Sequence, residues 1–301
     1  MSLIENSLLQ NLLNHPQKIS KLKFNIISNI LRTAKAVLEE EHLLLEFNLK
    51  QNSEDIYVIG DIHGNLDTFK KLLEIIDKNN PKLVIFLGDL VDRGPKQLEC
   101  LLMVLILKIL FPLKYYLLKG NHESLEMNQY YGFFHEFISK FKNENKFDEI
   151  LDIYNVLPLC ALVNNDILCL HGGIPQDIDI LKKLKKQRCY DFNKIFKLNP
   201  KAIFQIMWND PKSEIEGFSD SFRGPGIKFF GKKAFENFME FNNLQYIIRA
   251  HECFPEGYRW FFNNHLLSIF SSANYRGYYS PNPASYAIIR DNLIIPKLLE
   301  L

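Results

Sequence analysis

The chain has 301 residues, 47% of them hydrophobic and 24% charged, which is the composition of a globular protein with a sizeable core. Its formal net charge of +1 at pH 7 argues against a general binder of nucleic acid or anionic membranes. Residues 1–13 lack a signal-peptide pattern, and charged residues interrupt the most apolar segment, residues 98–118. We therefore expect a soluble cytoplasmic protein, or a nuclear one if the source is eukaryotic, whose five cysteines are free thiols.

Residues 20–45 have the apolar spacing of an amphipathic helix, and a short polar stretch follows at residues 50–54. This pattern predicts an N-terminal helical segment over residues 1–53, packed on the core, ahead of a main domain over residues 54–301. Because the connecting stretch is short and the sequence contains no repeats, we expect the two parts to form one structural domain.

One pattern then occurs three times: an apolar strand, a glycine, polar residues and an amphipathic helix. The three strands end at Gly60, Gly88 and Gly120, and the first two helices cover residues 66–77 and 96–110. This alternation predicts parallel strands whose carboxyl ends carry the functional side chains.

The rest of the chain continues with a helical region at residues 127–151 and strands at residues 167–170 and 246–250. Short β-rich runs in the last third predict a second sheet packed on the first. These runs are residues 266–270, 286–290 and 293–295. The predicted fold class is therefore α/β (α+β), with two packed mixed β-sheets flanked by helices.

Six polar side chains follow directly on predicted strands. They are Asp61, His63, Asp89, Asn121, His171 and His251. This mixture of carboxylate, imidazole and amide oxygen is too rich in oxygen for a structural zinc site and suits a dinuclear Mn, Fe or Zn centre. One carboxylate can bridge two ions, and Asp89, from the middle strand, is the natural choice. Two ions about 3.5–4 Å apart can lower the pKa of a shared water and clamp a phosphoryl oxygen.

Each of these residues alone also has an ordinary structural explanation. A single histidine after a strand is usually a hydrogen-bonded structural residue, and Asn121 can equally cap the helix that follows it. The Asp92–Arg93 pair can be part of a simple turn. Because the six residues occur at successive strand ends, we favour a metal site over six separate coincidences.

Five motifs, in this order, resemble the PPP family of metal-dependent serine/threonine phosphoprotein phosphatases, within the calcineurin-like metallophosphoesterase superfamily. They are GDIHG (60–64), GDLVDRG (88–94), GNHE (120–123), HGG (171–173) and RAHE (249–252). The resemblance implies a metallophosphoesterase fold, hydrolysis of phosphoserine and phosphothreonine, and two divalent metal ions per chain, with Mn²⁺ favoured in vitro and Fe or Zn as alternatives. It also implies phosphoprotein substrates and regulatory subunits as partners, and neither nucleic acid nor membrane.

The resemblance assigns metal roles to the predicted ligands. Asp61 and His63 would bind the first ion, His171 and His251 would bind the second, and Asp89 would bridge the two.

Four residues would act on the substrate phosphate. Arg93 and Arg223 would hold it through bidentate charge-assisted hydrogen bonds. Asn121 would complete the second metal site and contact the phosphate, and Tyr275 would line the cleft.

His122 lies next to a ligand, so its ring can face the substrate without binding metal. Paired with Asp92, it would protonate the leaving alkoxide as the catalytic acid. A metal-bound hydroxide would attack in line, so no phosphoenzyme would form. The alternative is that the pair only orients Asn121.

Two other functions are compatible with these residues. One is a phosphatase of small molecules, such as a dinucleoside polyphosphate hydrolase, and the other is a non-catalytic scaffold that binds phosphoproteins. The sequence also departs from the family at Lys119, where an arginine is usual, so the guanidinium fork is lost. Tyr131 can belong to the cleft or to the core, and Glu123 and Glu252 can orient the neighbouring histidines.

Overall fold

The computed structural model describes residues 5–49, 55–277 and 279–300. Its α-helices are α1 (Asn6–Asn14), α2 (Phe24–Glu39), α3 (Leu66–Asn79), α4 (Gln97–Leu110), α5 (Leu125–Tyr131), α6 (Phe133–Phe141), α7 (Asp148–Tyr154), α8 (Ile180–Leu184), α9 (Phe192–Leu198), α10 (Pro200–Trp208) and α11 (Lys232–Asn242). Its strands are β1 (Leu44–Phe47), β2 (Ile56–Ile59), β3 (Leu83–Phe86), β4 (Tyr115–Leu117), β5 (Cys160–Val163), β6 (Ile167–Leu170), β7 (Asp210–Pro211), β8 (Phe218–Asp220), β9 (Lys228–Phe230), β10 (Tyr246–Arg249), β11 (Tyr258–Phe261), β12 (Leu266–Ile269), β13 (Ser285–Arg290) and β14 (Leu293–Leu298). Short 3₁₀ helices lie at Pro16–Lys21, Glu144–Phe147 and Cys189–Asp191.

The first sheet has five strands in the order β14-β13-β2-β3-β4, with β2, β3 and β4 parallel. Alternate side chains of its strands enter two different cores. Val58 and Ile85 belong to one apolar cluster, whereas Ile59 and Phe86 belong to the cluster that contains the helices. Burial on both faces explains why these strands are continuous apolar runs in the sequence.

The second sheet has six strands in the order β1-β5-β6-β10-β12-β11, with β6, β10 and β12 parallel. The apolar cluster between the sheets takes side chains from both. Its members include Val58, Ile85, Leu118, Cys169, Ile248, Leu267 and Ala287. The predicted architecture of two packed mixed sheets with helices is therefore confirmed.

A third, three-stranded sheet in the order β7-β9-β8 was not predicted. Its strands have only two or three residues each, which is too short for an alternating pattern to be recognised.

Several predicted boundaries are wrong. Helix α2 ends at Glu39, and residues 44–47 form β1, which pairs in parallel with β5. The region 127–151 is divided at Gly132, whose φ of 115° ends α5 in a left-handed turn. Strands β13 and β14 extend the first sheet instead of forming the second.

Helices α1 and α2 pack against α4, so the N-terminal segment contributes to the main core. The division of the chain at residue 53 stays a prediction, and the predicted polar stretch at 50–54 lies outside the described residues. Within the described ranges, no helix combines the length and hydropathy that crossing a membrane requires. All five cysteines are free thiols.

Helix α4 is buried on nearly all sides, including the Lys108 side chain, which is 2% exposed. The Lys108 ammonium pairs with the Glu41 carboxylate, donates to the Pro112 carbonyl oxygen at 2.7 Å and lies 4.0 Å from the centre of the Tyr116 ring. Burial lowers the pKa of Lys108 despite its carboxylate partner. Lys108, one of the charged residues that interrupt this apolar segment, is thus paired with a carboxylate inside the fold.

Replacing Lys108 by Met should lower the free energy of unfolding by about 3–5 kcal/mol, because Glu41 stays buried without its cation. The double variant Lys108→Met/Glu41→Leu removes both charges and should recover most of that loss. Urea unfolding at pH 7 measures both changes. As a control, Lys35→Met breaks the exposed pair with Asp152 and should cost less than about 1 kcal/mol. Equal losses for Lys108→Met and Lys35→Met would contradict this account.

Candidate metal centre and catalytic site

The structure brings all six predicted ligand residues together at the carboxyl ends of five strands, and all six side chains are buried. They are Asp61 and His63 after β2, Asp89 after β3, Asn121 after β4, His171 after β6 and His251 after β10. The first sheet supplies four of them and the second sheet supplies two, so the site lies where the edges of the two sheets meet.

The His63 ring is oriented by a backbone carbonyl. Its Nδ1 donates to the Val91 oxygen at 2.8 Å, so Nε2 faces two carboxylates, 3.5 Å from Asp61 Oδ2 and 3.7 Å from Asp89 Oδ2. Burial lowers the pKa of His63, but the nearby Asp61 carboxylate and the charge of Asp89 outweigh it and raise the pKa to about 9. The site therefore favours a positive charge at this nitrogen.

His171 shows the same requirement for a cation. Its Nδ1 donates to the Leu87 carbonyl oxygen at 3.0 Å, which leaves the lone pair of the neutral ring on Nε2. This nitrogen lies 2.9 Å from Asn121 Oδ1, 3.3 Å from Asp89 Oδ2 and 3.3 Å from His251 Nδ1. Burial lowers the pKa of His171, but the Asp89 charge raises it above its ordinary value. The neutral His171 Nε2 and the oxygens of Asn121 and Asp89 are all acceptors, and the fold brings them together without a donor between them.

Four buried side-chain atoms have no hydrogen-bond partner among the described residues, and two of them, Asp61 Oδ2 and His251 Nε2, belong to this site. The other oxygen of Asp61 accepts from the His251 backbone N–H at 3.0 Å. An unsatisfied buried polar group costs about 1–3 kcal/mol, so these atoms indicate a bound species that completes them.

The donor set fits two divalent ions that share one residue. Polar atoms of Asp89, His171 and His251 lie within 4.8 Å of one another, as do those of Asp89, His63 and His122, of which His122 is paired with Asp92. Asp61 Oδ2 adds an oxygen 3.5 Å from His63 Nε2. Nitrogen and carboxylate oxygen together suit Mn, Fe or Zn. Asp89 is common to both groups, which is the position predicted for a bridging ligand.

The backbone at this edge is strained. Five residues other than glycine have left-handed φ angles there: His63 (47°), Asp89 (55°), Asp92 (69°), Arg93 (71°) and His251 (69°). Such conformations cost of order 1–3 kcal/mol each and persist only where the surroundings enforce them. Their concentration here supports a functional role for this edge.

Glu123 joins the loops that follow β3 and β4. Its fully buried carboxylate accepts from the backbone N–H groups of Asp89 (2.8 Å), Leu90 (3.0 Å) and Gly120 (2.8 Å). A Cβ atom at Gly120 would lie only 2.2 Å from Asp89 Oδ1, so glycine is required for this approach. Glu123 therefore positions the ligand loops, whereas the sequence pointed to the neighbouring histidine as its partner.

His122 and Asp92 form a buried pair beside the ligands. His122 Nδ1 lies 2.7 Å from Asp92 Oδ2, and its Nε2 faces the cluster at 4.0 Å from Asp89 Oδ2. The hydroxyl of Ser124, and not Asn121, caps α5. The capping explanation for Asn121 is therefore wrong.

Aromatic rings and one arginine line the mouth of the site. The Arg93 guanidinium carbon lies 3.9 Å from the centre of the Tyr131 ring and 5.5 Å from that of Tyr275. Tyr275 stacks on His63 at 5.0 Å between ring centres, and Tyr131 lies 4.9 Å from the His122 ring. Tyr131 is therefore a cleft residue.

Arg223 is held by a buried ion network that sequence reasoning missed. Its Nε donates to Asp210 Oδ2 at 2.5 Å, while Asp210 Oδ1 accepts from Arg249 at 2.8 Å. Arg249 is fully buried and also pairs with Glu252 at 2.9 Å, so Glu252 serves this network and does not orient His251. Two features of the sequence could have indicated this network: the carboxylate in WNDP (208–211) and the arginine in RAHE (249–252).

Lys119 replaces the expected arginine without leaving its neighbours unpaired. Its buried ammonium donates to the backbone oxygens of Glu123 (3.0 Å) and Tyr154 (2.6 Å). Burial lowers the pKa of Lys119 to about 8, against the charge of Glu123. A point-like donor is sufficient because its partners are two separate carbonyls.

A family model described as calcineurin-like phosphoesterase matches residues 55–255. The serine/threonine-protein phosphatase 4 catalytic subunit of Saccharomyces cerevisiae is 35% identical over 254 residues, or 84% of this chain and 80% of that protein. The serine/threonine-protein phosphatase rdgC of Drosophila melanogaster is 35% identical over 260 residues, or 80% of this chain and 38% of that protein. A solved structure of a protein serine/threonine phosphatase from Saccharomyces cerevisiae, with similarity to human phosphatase PP5, has a TM-score of 0.81 and 28% identity, covering 93% of this chain and 90% of that chain.

The substitution Glu123→Gln should lower the free energy of unfolding by about 1–3 kcal/mol, because the amide NH₂ would oppose backbone donors. It should also weaken metal binding, since the two ligand loops would lose their common acceptor. Urea unfolding and metal titration measure these effects. The matched control is Glu126→Gln, an exposed carboxylate three residues along the chain. Unchanged stability in Glu123→Gln would show that the loops are held by other contacts.

Proposed function

The chain belongs to the calcineurin-like phosphoesterase family, and we propose that the buried ligand cluster is where it hydrolyses phosphoserine and phosphothreonine in proteins. Relatives that are 35% identical over most of the chain are serine/threonine protein phosphatases, and so is a solved structure of the same fold. The enzyme is therefore a serine/threonine protein phosphatase of the metallophosphoesterase type. The observation that carries the assignment to this site is the set of buried acceptors facing one another beside the His122–Asp92 pair.

In this proposal Asp61 and His63 would hold one divalent ion, and His171 and His251 would hold another. Asp89 would serve both ions, and Asn121 would complete the second site. Ions at these positions would lower the pKa of a bound water and neutralise charge on the phosphoryl oxygens. We propose Mn²⁺ as the occupant in vitro, with Fe or Zn as alternatives that the same donor set suits. The list of proposed ligands is Asp61, His63, Asp89, Asn121, His171 and His251.

The proposed substrate contacts come from Arg93, at the mouth of the site, and from Arg223, which Asp210 holds. Arg93 and Arg223 present guanidinium groups that can each donate two hydrogen bonds to one phosphate. Tyr275 and Tyr131 pack around Arg93 and limit the orientations that it can adopt. Asn121 would contact a phosphate oxygen through its amide group.

His122 is the proposed general acid. Asp92 accepts from Nδ1, so Nε2 is the nitrogen that faces the reacting atoms and gives its proton to the leaving oxygen. An alkoxide is a poor leaving group, which makes this proton transfer necessary for serine and threonine esters. A scaffold without catalysis would not need the pair, so the geometry favours the enzyme.

We further propose that the enzyme acts on intracellular phosphoproteins and works with regulatory subunits. The support is that the yeast relative is a catalytic subunit by name.

A comparison of three substrates with Mn²⁺ present tests the function. A phosphothreonine peptide should give a kcat/KM at least about tenfold above a phosphotyrosine peptide and a dinucleoside tetraphosphate, a difference of roughly 1.4 kcal/mol in transition-state binding. A preference for the dinucleotide would instead identify a small-molecule phosphatase.

His122→Asn should reduce kcat on the phosphothreonine peptide by about 10²- to 10⁴-fold while both ions remain bound. Asp89→Asn should lower metal content as well as activity, because the shared carboxylate would be lost. Elemental analysis beside steady-state kinetics separates the two effects. Full activity in both variants with the metals retained would refute the proposed roles.

Arg223→Lys should raise KM for the phosphopeptide, and the inhibition constant of inorganic phosphate, by about tenfold, because the bidentate fork is lost. Arg259→Lys, which changes an exposed arginine paired with Glu256, is the matched control and should leave both constants within about twofold. An unchanged phosphate inhibition constant in Arg223→Lys would exclude Arg223 from the phosphate site.

A further inference from the structure

Asn128, on α5, contacts both members of the His122–Asp92 pair. Its side chain is fully buried, and its Nδ2 donates to Asp92 Oδ2 at 2.8 Å and to the His122 backbone oxygen at 2.8 Å. An amide NH₂ group has two hydrogens, so these two contacts use all of its donor capacity. One side chain thus connects the carboxylate of the pair with the backbone of the histidine.

Tyr154, on α7, determines which way this amide points. Its hydroxyl lies 3.0 Å from Asn128 Oδ1 and donates to it. The opposite orientation would place Oδ1 against the Asp92 carboxylate, where two acceptors would meet and both donor contacts would be lost. Burial raises the pKa of Tyr154 well above its usual value, so the hydroxyl keeps its proton. The amide therefore has one orientation that satisfies every partner.

Asp92 is a fully buried carboxylate whose position depends on a few donors. Oδ1 accepts from the Phe133 backbone N–H at 3.0 Å, and Oδ2 accepts from Asn128 and from His122 Nδ1. Removal of the amide would leave Oδ2 with the imidazole alone. The carboxylate could then rotate about its Cβ–Cγ bond, and the ring that it orients would move with it.

We propose that Asn128 is a positioning residue for the His122–Asp92 pair, with Tyr154 as the support that sets the orientation of its amide. The proposal rests on the proposed role of His122 as general acid. In that step a water oxygen forms a bond to phosphorus while the bond between phosphorus and the leaving oxygen breaks. The electron pair of the broken bond stays on the leaving oxygen, which takes the proton from His122 Nε2. The alcohol leaves neutral, the phosphoryl group leaves as phosphate, and the proton given up by the attacking water restores the ring before the next turnover.

The identity of the leaving group separates positioning from general support of the fold. The p-nitrophenolate ion is a stable leaving group that needs little protonation, whereas a threonine alkoxide needs an acid. A misplaced His122 should therefore slow the phosphothreonine peptide much more than p-nitrophenyl phosphate. A loss of metal or of folded protein would slow both substrates alike.

The test is the ratio of kcat on the phosphothreonine peptide to kcat on p-nitrophenyl phosphate, measured with metal content. Asn128→Ala should lower this ratio by about tenfold, part of the 10²- to 10⁴-fold effect of general acid catalysis. Tyr154→Phe removes one oxygen and should lower the ratio by about two- to threefold in the same direction. If Asn128→Ala does not fold, Tyr154→Phe decides the question alone.

Asn242, at the end of α11, is the matched control because its Nδ2 also donates to two backbone oxygens, at 3.1 and 2.9 Å. Asn242→Ala should leave the ratio unchanged.

The proposal would be overturned if Asn128→Ala and Tyr154→Phe left the ratio unchanged, whether both substrates slowed equally or neither did. If His122→Asn itself lowers both substrates equally, the general-acid role fails, and the positioning role fails with it. Absent phosphopeptide activity in the unchanged enzyme would instead refute the proposed function.

Discussion

The central constraint on this structure is that hydrogen-bond acceptors of the candidate metal centre are held close together where the edges of the two sheets meet. His171 Nε2 lies 3.3 Å from Asp89 Oδ2 and 2.9 Å from Asn121 Oδ1, so one ring nitrogen faces two oxygens that can only accept hydrogen bonds. Strained backbone at His63 and Asp89 adds to this cost. The two apolar clusters, one between the sheets and one beneath the helices, supply the compensating stability. A fold with a single sheet could not supply ligands from both directions.

The fold, and the meeting of the six candidate ligand residues, could be predicted because each of these residues comes shortly after an apolar run. Strands buried on both faces have no polar positions, so a polar residue after the glycine marks where the strand ends. Asp61, Asp89 and Asn121 were found this way from local sequence alone. The rule that parallel strands present their carboxyl ends together then predicts that these side chains meet.

What could not be predicted are contacts between residues that are distant in sequence. Asn128 has no local pattern that distinguishes it from a helix-surface amide, and the WNDP motif that contains Asp210 does not show which arginines pair with it. Their importance comes from Tyr154 and Arg249, which the tertiary fold brings to them. Strand β1 was mistaken for helix because its leucines continue the apolar spacing of α2. Pairing with β5 overrides that local preference.

The division of ligands between the two sheets also sets an order of assembly. Asp61, Asp89 and Asn121 belong to the first half of the chain, whereas His251 follows a strand that is made much later. During synthesis the growing chain would carry a half-built, acid-rich edge until β10 has emerged and joined β6. Stable binding of ions by the proposed ligands would then be a late event, because these residues come together only when both sheets are in place.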